Sequence, residues 1–313
     1  MSVHRLRLAG GLGFATALAL AVRGRARMVI VTATGPRARA EALARELAAA
    51  AVEHRCVACE FVGVPLELAS LERVATTARE IGEMTRELAL RALILNAGIA
   101  YRPYARSADG HEMHFAVNVL GHHLLARLLA PRLRAARPRG RIVSLSGDIY
   151  CLTRGCSSDF SYARGCNPTG ALAAYCRSKL GVLWHARELA RRASLSACAV
   201  HPGVVGTRLV QGLPECAVQL VATLGLVLTP SQGAWAAAAL AMGDSEPQSG
   251  AYYHCLTMRP RHHGGPMLPH ELPADDPAGD AVAASALYAR CEDLCAHHLK
   301  QAEMIVDAQA AAA

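Results

Sequence analysis

The sequence predicts an α/β fold: a doubly wound parallel sheet in a single domain with a C-terminal extension. Three observations carry this. Short apolar runs, from Met28-Val29-Ile30-Val31-Thr32 to Ala197-Cys198-Ala199-Val200, alternate with helical runs of a dozen residues or more, the pattern of βαβ units. Small or polar residues stand where the apolar runs end: the Gly-rich turn Gly10-Gly11-x-Gly13, Asn96-Ala97-Gly98, Ser144 to Gly147 and Pro202-Gly203. In open sheets of this kind, ligands bind just beyond the strands' carboxyl ends, where these residues fall. Finally, 313 residues with 52% hydrophobic and 19% charged content suffice for one large core and argue against disorder.

The elements follow in order. Gly10-Gly11-x-Gly13 opens an apolar stretch that closes at Arg23-Gly24. Read as a turn and a buried helix, its glycines let the backbone approach a pyrophosphate, and the helix start offers unpaired N–H groups. The same stretch, Leu8 to Val22, follows Arg5 and Arg7 and also has the pattern of a signal peptide's apolar region or a short anchor. It is short for a membrane span, and the helix is the reading expected here. Strands are expected at Met28 to Thr32, Phe61 to Leu66, Leu93 to Leu95, Arg141 to Gly147 and Ala197 to Val200. Helices are expected from Arg37 to Ala51, after Glu67-Leu68-Ala69-Ser70 through Glu83, from Glu112 to Leu133 and from Gly170 to Ala193. The main domain is read as residues 1–255. Residues 256–313 form a Pro-rich segment and a closing helix.

The helix from Gly170 to Ala193 carries the chemistry. Leu172, Cys176, Leu180, Leu183, Trp184 and Leu189 recur at three- and four-residue steps, marking an apolar face. Tyr175 and Lys179 lie one turn apart and share a face. An ammonium that close favours the phenolate, so the spacing predicts a phenol with a lowered pKa, able to exchange a proton near neutral pH. The chain holds 33 Lys and Arg, yet only Lys179 and Lys300 are lysines.

Composition excludes some classes. Aromatics make up 4% of the chain, too few for base-stacking platforms. The net charge of +8 comes mostly from scattered arginines, and the cluster Arg132, Arg134, Arg137, Arg139 and Arg141 reads as a solvated loop. Eleven cysteines without a compact framework fit reduced thiols facing the cytosol. Cys56 with Cys59, and Cys291 with Cys295, His297 and His298, have metal-like spacing, but no metal site is expected.

Four motifs in order, L-N-A-G (95–98), N-V-L-G (118–121), Y-C-R-S-K (175–179) and H-P-G-V-V-G-T (201–207), resemble the short-chain dehydrogenase/reductase family from about Gly11 to Tyr253. L-E-L-A-S-L-E-R-V (66–74), N-V-L-G-H-H-L-L (118–125), S-K-L-G-V-L (178–183), S-G-A-Y-Y (249–253) and A-L-Y-A-R-C-E-D-L (286–294) are most similar to its retinol-dehydrogenase-like branch. The resemblance implies a Rossmann-type sheet of seven strands. It implies Tyr175 as proton donor or acceptor, Lys179 lowering its pKa and reaching the nicotinamide ribose, and Asn118 tying Lys179 to a water relay. Gly11 and Gly13 would meet the pyrophosphate. Asn96, Ala97, Gly98 and Glu67 would line the adenosine side. Pro202, Gly203 and Thr207 would hold the nicotinamide.

Two departures stand out. Leu6 and Arg7 occupy the places of Thr and Gly in the family's phosphate loop, and the family's Ser-Ser strand end is here Ser146-Gly147. Ser146 becomes the candidate catalytic hydroxyl. The second strand ends in Thr32-Ala33-Thr34 without an acid, and Arg37 and Arg39 follow. NADP is therefore the expected cofactor, with NAD second and the 2′-phosphate drawn to Arg37 or Arg39.

The expected function is NADP(H)-dependent interconversion of an alcohol and a carbonyl on a lipophilic retinoid-, steroid- or prenol-like molecule. The alternative is a catalytically impaired binding or scaffold protein of the same fold. A further alternative is a truncated product whose first strand lies upstream of Met1. Val210 to Thr229 is read as covering an apolar substrate pocket or touching a membrane surface. Peripheral membrane contact and a homodimer stand as open expectations, nucleic acid is not an expected partner, and the location is the cytoplasm or the cytosolic face of a membrane.

Overall fold

The computed structural model describes residues 11–23, 26–153, 160, 168–192, 195–205, 227–243, 246–255 and 269–311. The expected alternation is present. Helix α1 (Leu12–Val22) precedes β1 (Met28–Ala33), α2 (Arg37–Glu53), β2 (Glu60–Pro65), α3 (Leu71–Met84) and β3 (Ala92–Leu95). A helical run follows: α4 (Met113–Phe115), a π turn over Ala116–Leu120, and α5 (Gly121–Ala135). Then come β4 (Arg141–Leu145), a 3₁₀ turn (Asp148–Thr153), α6 (Pro168–Arg192) and β5 (Ser196–His201). The described chain ends with β6 (Val204–Val205), β7 (Val227–Leu228), α7 (Pro230–Met242), β8 (Tyr252–His254), a 3₁₀ turn (Pro277–Gly279) and α8 (Ala281–Ala311).

Local chemistry sets several starts. Ser70 caps α3 by accepting from the Arg73 amide. Thr229 and Gln232 form a reciprocal capping box at α7, with Pro230 in its first turn.

Among the described residues the strands fall into three ladders. Strands β2 and β1 pair in parallel, and β3-β4-β5-β8 form a separate parallel ladder; β6 and β7 make a small third pair. The strand expected ahead of Gly11 lies outside the described residues, and no described strand joins the two ladders.

Helices cover both faces. On one, Leu120, Leu124 and Leu133 of the π turn and α5 pack with Leu180, Trp184 and Leu189 of α6 and Leu287 of α8. On the other, Val143, Cys198 and Val200 pack against Ala236 and Leu240 of α7, with Leu12 of α1 beside them. An Arg127–Glu292 fork, at 2.5 and 3.1 Å, fastens α8 to α5. Among the described residues no helix is long and apolar enough to cross a membrane.

Candidate active site

The site is built from strand ends and one helix face. Tyr175 and Lys179 stand on α6, each 6% exposed. Lys179 Nζ donates to the Leu145 carbonyl at the end of β4 (2.9 Å) and lies 5.9 Å from the Tyr175 ring centroid. Desolvation lowers the lysine to about 8. The phenol moves opposite to the expectation. Its burial, reinforced by Tyr101 and Cys176, holds it above its ordinary value, so desolvation outweighs the neighbouring ammonium.

Asn118 sits inside the π turn, a distortion often found where a side chain must be re-aimed. Its amide grips the segment leaving β3: Oδ1 accepts from Ile99 N (2.9 Å), and Nδ2 donates to Ile99 O (3.0 Å). The same Nδ2 donates to Ser178 Oγ at 2.8 Å, and Ser178 donates to the Tyr175 carbonyl at 2.7 Å. Asn118 thus ties the β3 exit to the helix that carries the phenol. A Cβ on Gly98 would stand 3.1 Å from Asn118 Oδ1 and 3.7 Å from Lys179 Nζ, so these three positions converge.

Gly13 is required by close approach, because a Cβ there would meet Asn96 Nδ2 at 2.8 Å. Asn96 Oδ1 is buried without a partner. Gly11 caps α1 with no side-chain bond, leaving the first-turn amides free of side-chain caps. Ala97 is exposed on the same β3 exit. Gly203 has φ 81°, and a Cβ there would lie 2.5 Å from Leu228 Cδ1, so the turn after Pro202 excludes a side chain. Glu67 Oε1 accepts from Ala69 N at 3.3 Å, bracing the turn into α3. Arg37 is paired with Glu80 of α3 at 2.8 Å. Thr207 and most of Val210 to Thr229 lie outside the described residues.

Ser146 is placed differently from its expected role. Its hydroxyl, 4% exposed as a residue, donates to the Lys179 carbonyl at 2.8 Å. It faces the backbone of α6. Gly147 leaves open space: a Cβ there would make only an ordinary 3.7 Å contact with His201 Nδ1.

Sequence reasoning missed two neighbours of the phenol. Tyr101, held at φ 53°, puts its ring 5.2 Å from that of Tyr175, and a left-handed tyrosine is a strained conformation. His114, 6.4 Å from the same ring, pairs with Glu112 at 2.7 Å, both buried. Asp109-Gly110 between them marks a turn, but nothing in the sequence aims these side chains at Tyr175. Cys291 and Cys295 are buried, and desolvation pushes their thiols up, that of Cys295 to about 12.

Several known proteins resemble this chain in sequence or fold. Residues 8–153 match the short chain dehydrogenase family. Human retinol dehydrogenase 12 is 36% identical over 180 residues, covering 55% of this chain and 54% of that protein. Mouse retinol dehydrogenase 14 is 36% identical over 196 residues, covering 60% and 57%. The chain thus spans about half the length of the curated relatives it matches. An uncharacterized protein from Mycobacterium Paratuberculosis, 28% identical, superposes with a TM-score of 0.63 over 91% of this chain and 90% of its own. NADPH-bound carbonyl reductase from chicken fatty liver, 23% identical, shares the fold with a TM-score of 0.56 over 79% and 92%. Motif order, parallel layers and these likenesses point the same way: over residues 8–153 the chain resembles the short chain dehydrogenase family, and retinol dehydrogenases are among its relatives.

Proposed function

We propose that this chain is an NADP(H)-dependent oxidoreductase interconverting an alcohol and a carbonyl on a lipophilic, retinoid-like small molecule. The observation that carries the reading is the convergence of Lys179 Nζ, Tyr175, Asn118 and Gly98 at the carboxyl edge of the β3-β4-β5 ladder. The retinol dehydrogenases among the relatives point to the lipophilic substrate class.

The residues fit a nicotinamide dinucleotide. The N-terminus of α1 has no side-chain cap, Asn96 Oδ1 is an unpaired buried acceptor beside it, and Gly13 and Gly98 present bare backbone. When bound, the dinucleotide supplies or takes up the hydride. Gly11 and Gly13 would face its pyrophosphate, Asn96 to Gly98 and Glu67 its adenosine, and Pro202 and Gly203 its nicotinamide. Arg39, together with an Arg37 released from Glu80, would hold a 2′-phosphate.

Tyr175 gives its proton to the substrate's carbonyl oxygen in reduction and takes it from the hydroxyl in oxidation. Burial keeps the phenol protonated at neutral pH, which suits the reductive direction. In oxidation the phenolate forms beside the Lys179 ammonium, which stabilises it. Asn118 keeps the helix and the β3 exit in register while this happens. We place the protein in the cytoplasm or on the cytosolic face of a membrane, with peripheral membrane contact and a homodimer as accompanying proposals.

The test is Tyr175→Phe. Turnover of a lipophilic aldehyde with NADPH should fall by at least about 10²-fold, the usual share of a general acid, with NADPH affinity nearly unchanged by fluorescence titration. Near wild-type turnover in that variant would overturn the assignment.

A further inference from the structure

Three neighbouring strands end in residues of metal-binding type. Asp148 follows β4, His201 closes β5 and His254 closes β8. His201 and His254 are register partners across the parallel β5-β8 pair, so their side chains leave the sheet on the same face. Their ring centroids are 4.6 Å apart. Asp148 Oδ2 lies 2.6 Å from His254 Nε2 and 3.7 Å from His201 Nε2. All three donor atoms fall within 4.8 Å of one another, and among the described residues no other His, Cys, Asp or Glu trio does so. Zinc–nitrogen and zinc–oxygen bonds of about 2.0–2.2 Å in a tetrahedron set donors roughly 3.3 Å apart, inside the observed spread.

The surroundings support ligation. Asp148 Oδ1 accepts from the Tyr252 hydroxyl at 2.5 Å, the kind of outer bond that orients a ligating carboxylate. A hydrogen-bonded Asp148–His254 pair would by itself leave His201 unused. The Nδ1 of His201 is buried without a partner, and its Nε2 stands beyond hydrogen-bond distance from Asp148. A cation between the three groups would engage His201 through its Nε2, the nitrogen that faces Asp148, together with His254. The Asp148 side chain is 43% exposed, giving an ion a route in, and the His270 ring lies 5.6 Å from that of His254 on the cluster's margin.

We propose that Asp148, His201 and His254 form a binding site for one divalent transition ion of borderline softness, such as Zn²⁺, with a fourth position open to water. Two imidazoles and one carboxylate suit such an ion and leave the tetrahedron incomplete. The site adjoins Gly147, at the sheet edge that also carries the proposed catalytic residues, yet uses none of them.

The test is titration of the reduced, chelator-treated full chain with Co²⁺ and then Zn²⁺. One equivalent of Co²⁺ should give visible d–d absorption without thiolate charge transfer in the near ultraviolet, and Zn²⁺ should displace it. Asp148→Asn and His254→Gln should each weaken Zn²⁺ at least about tenfold, and the Cys56→Ser/Cys59→Ser double variant should leave it unchanged. Saturating Zn²⁺ should raise the thermal midpoint of the wild type, a readout that holds even if a variant folds poorly. Absence of a stoichiometric site in the wild type overturns the proposal. So does a thiolate signature, or an affinity indifferent to Asp148 and His254. No step requires turnover, so this site and the proposed oxidoreductase activity fail separately.

Discussion

Replacing Lys179 with methionine should stabilise the cofactor-free protein while abolishing its turnover. The ammonium is buried, and its affinity for a proton falls from an ordinary 10.5 to about 8 because water is removed from it. At about 1.4 kcal/mol per pH unit, carrying that charge in the folded state costs about 3 kcal/mol at neutral pH. Methionine has a similar length and no charge, but leaves the Leu145 carbonyl without its donor, a loss of about 1–3 kcal/mol. The expected balance is a gain of about 1 kcal/mol at pH 7.

The pH dependence gives the sharper check. Between about 8 and 10.5 the unfolded chain binds the proton and the folded one does not, so wild-type stability rises with pH across that window. The variant lacks this rise, and its advantage should vanish by pH 10.5. Urea unfolding followed by fluorescence, at pH 7 and at steps up to 10.5 without added cofactor, measures both curves. A Lys179→Met variant less stable than wild type at pH 7, or a gap that does not change with pH, would refute the desolvation argument.

Two further predictions concern the site. Gly147→Ser should speed turnover at least about tenfold, part of the 10²–10³ attributed to one positioned donor, because the new side chain meets only His201 Nδ1 at ordinary contact distance. Steady-state kinetics with NADPH checks it, and an unchanged rate combined with an inactive Ser146→Ala would reassign the hydroxyl. Glu80→Gln should tighten NADPH relative to NADH by releasing Arg37 from its 2.8 Å partner. Equal tightening of both cofactors, or tighter NADH, would remove Arg37 from the 2′-phosphate site.

Much of this was legible because the relevant information is local. Apolar runs between turn residues set β1, β4 and β5 to within a residue or two at each end, and the Tyr175–Lys179 spacing needs only helical periodicity. Other features depend on contacts that no spacing encodes. The π turn at Asn118 arises inside what reads as one uninterrupted helix from Glu112 to Leu133. The direction of the Ser146 hydroxyl is set by a carbonyl 33 residues away. The phenol's shift inverts because burial, which periodicity does not measure, exceeds the pull of Lys179. The Asp148–His201–His254 cluster exists only through cross-strand register, although one signal was present: three apolar runs each close on a ligand-type residue.

Among the described elements α1 has a distinctive mechanical position. On one flank this helix packs on α7, which belongs to the four-stranded ladder; on the other it packs on α2 and β1, which belong to the two-stranded one. With no ladder of hydrogen bonds bridging the described strands, α1 is one of the rivets between the two plates, alongside α3, which packs on α5. The rivet's head is the Gly11–Gly13 start, pressed against Asn96 at the tip of β3. An anion seated on those amides would therefore load both plates at once, so ligand binding there would change the stiffness of the whole sheet rather than of a single loop.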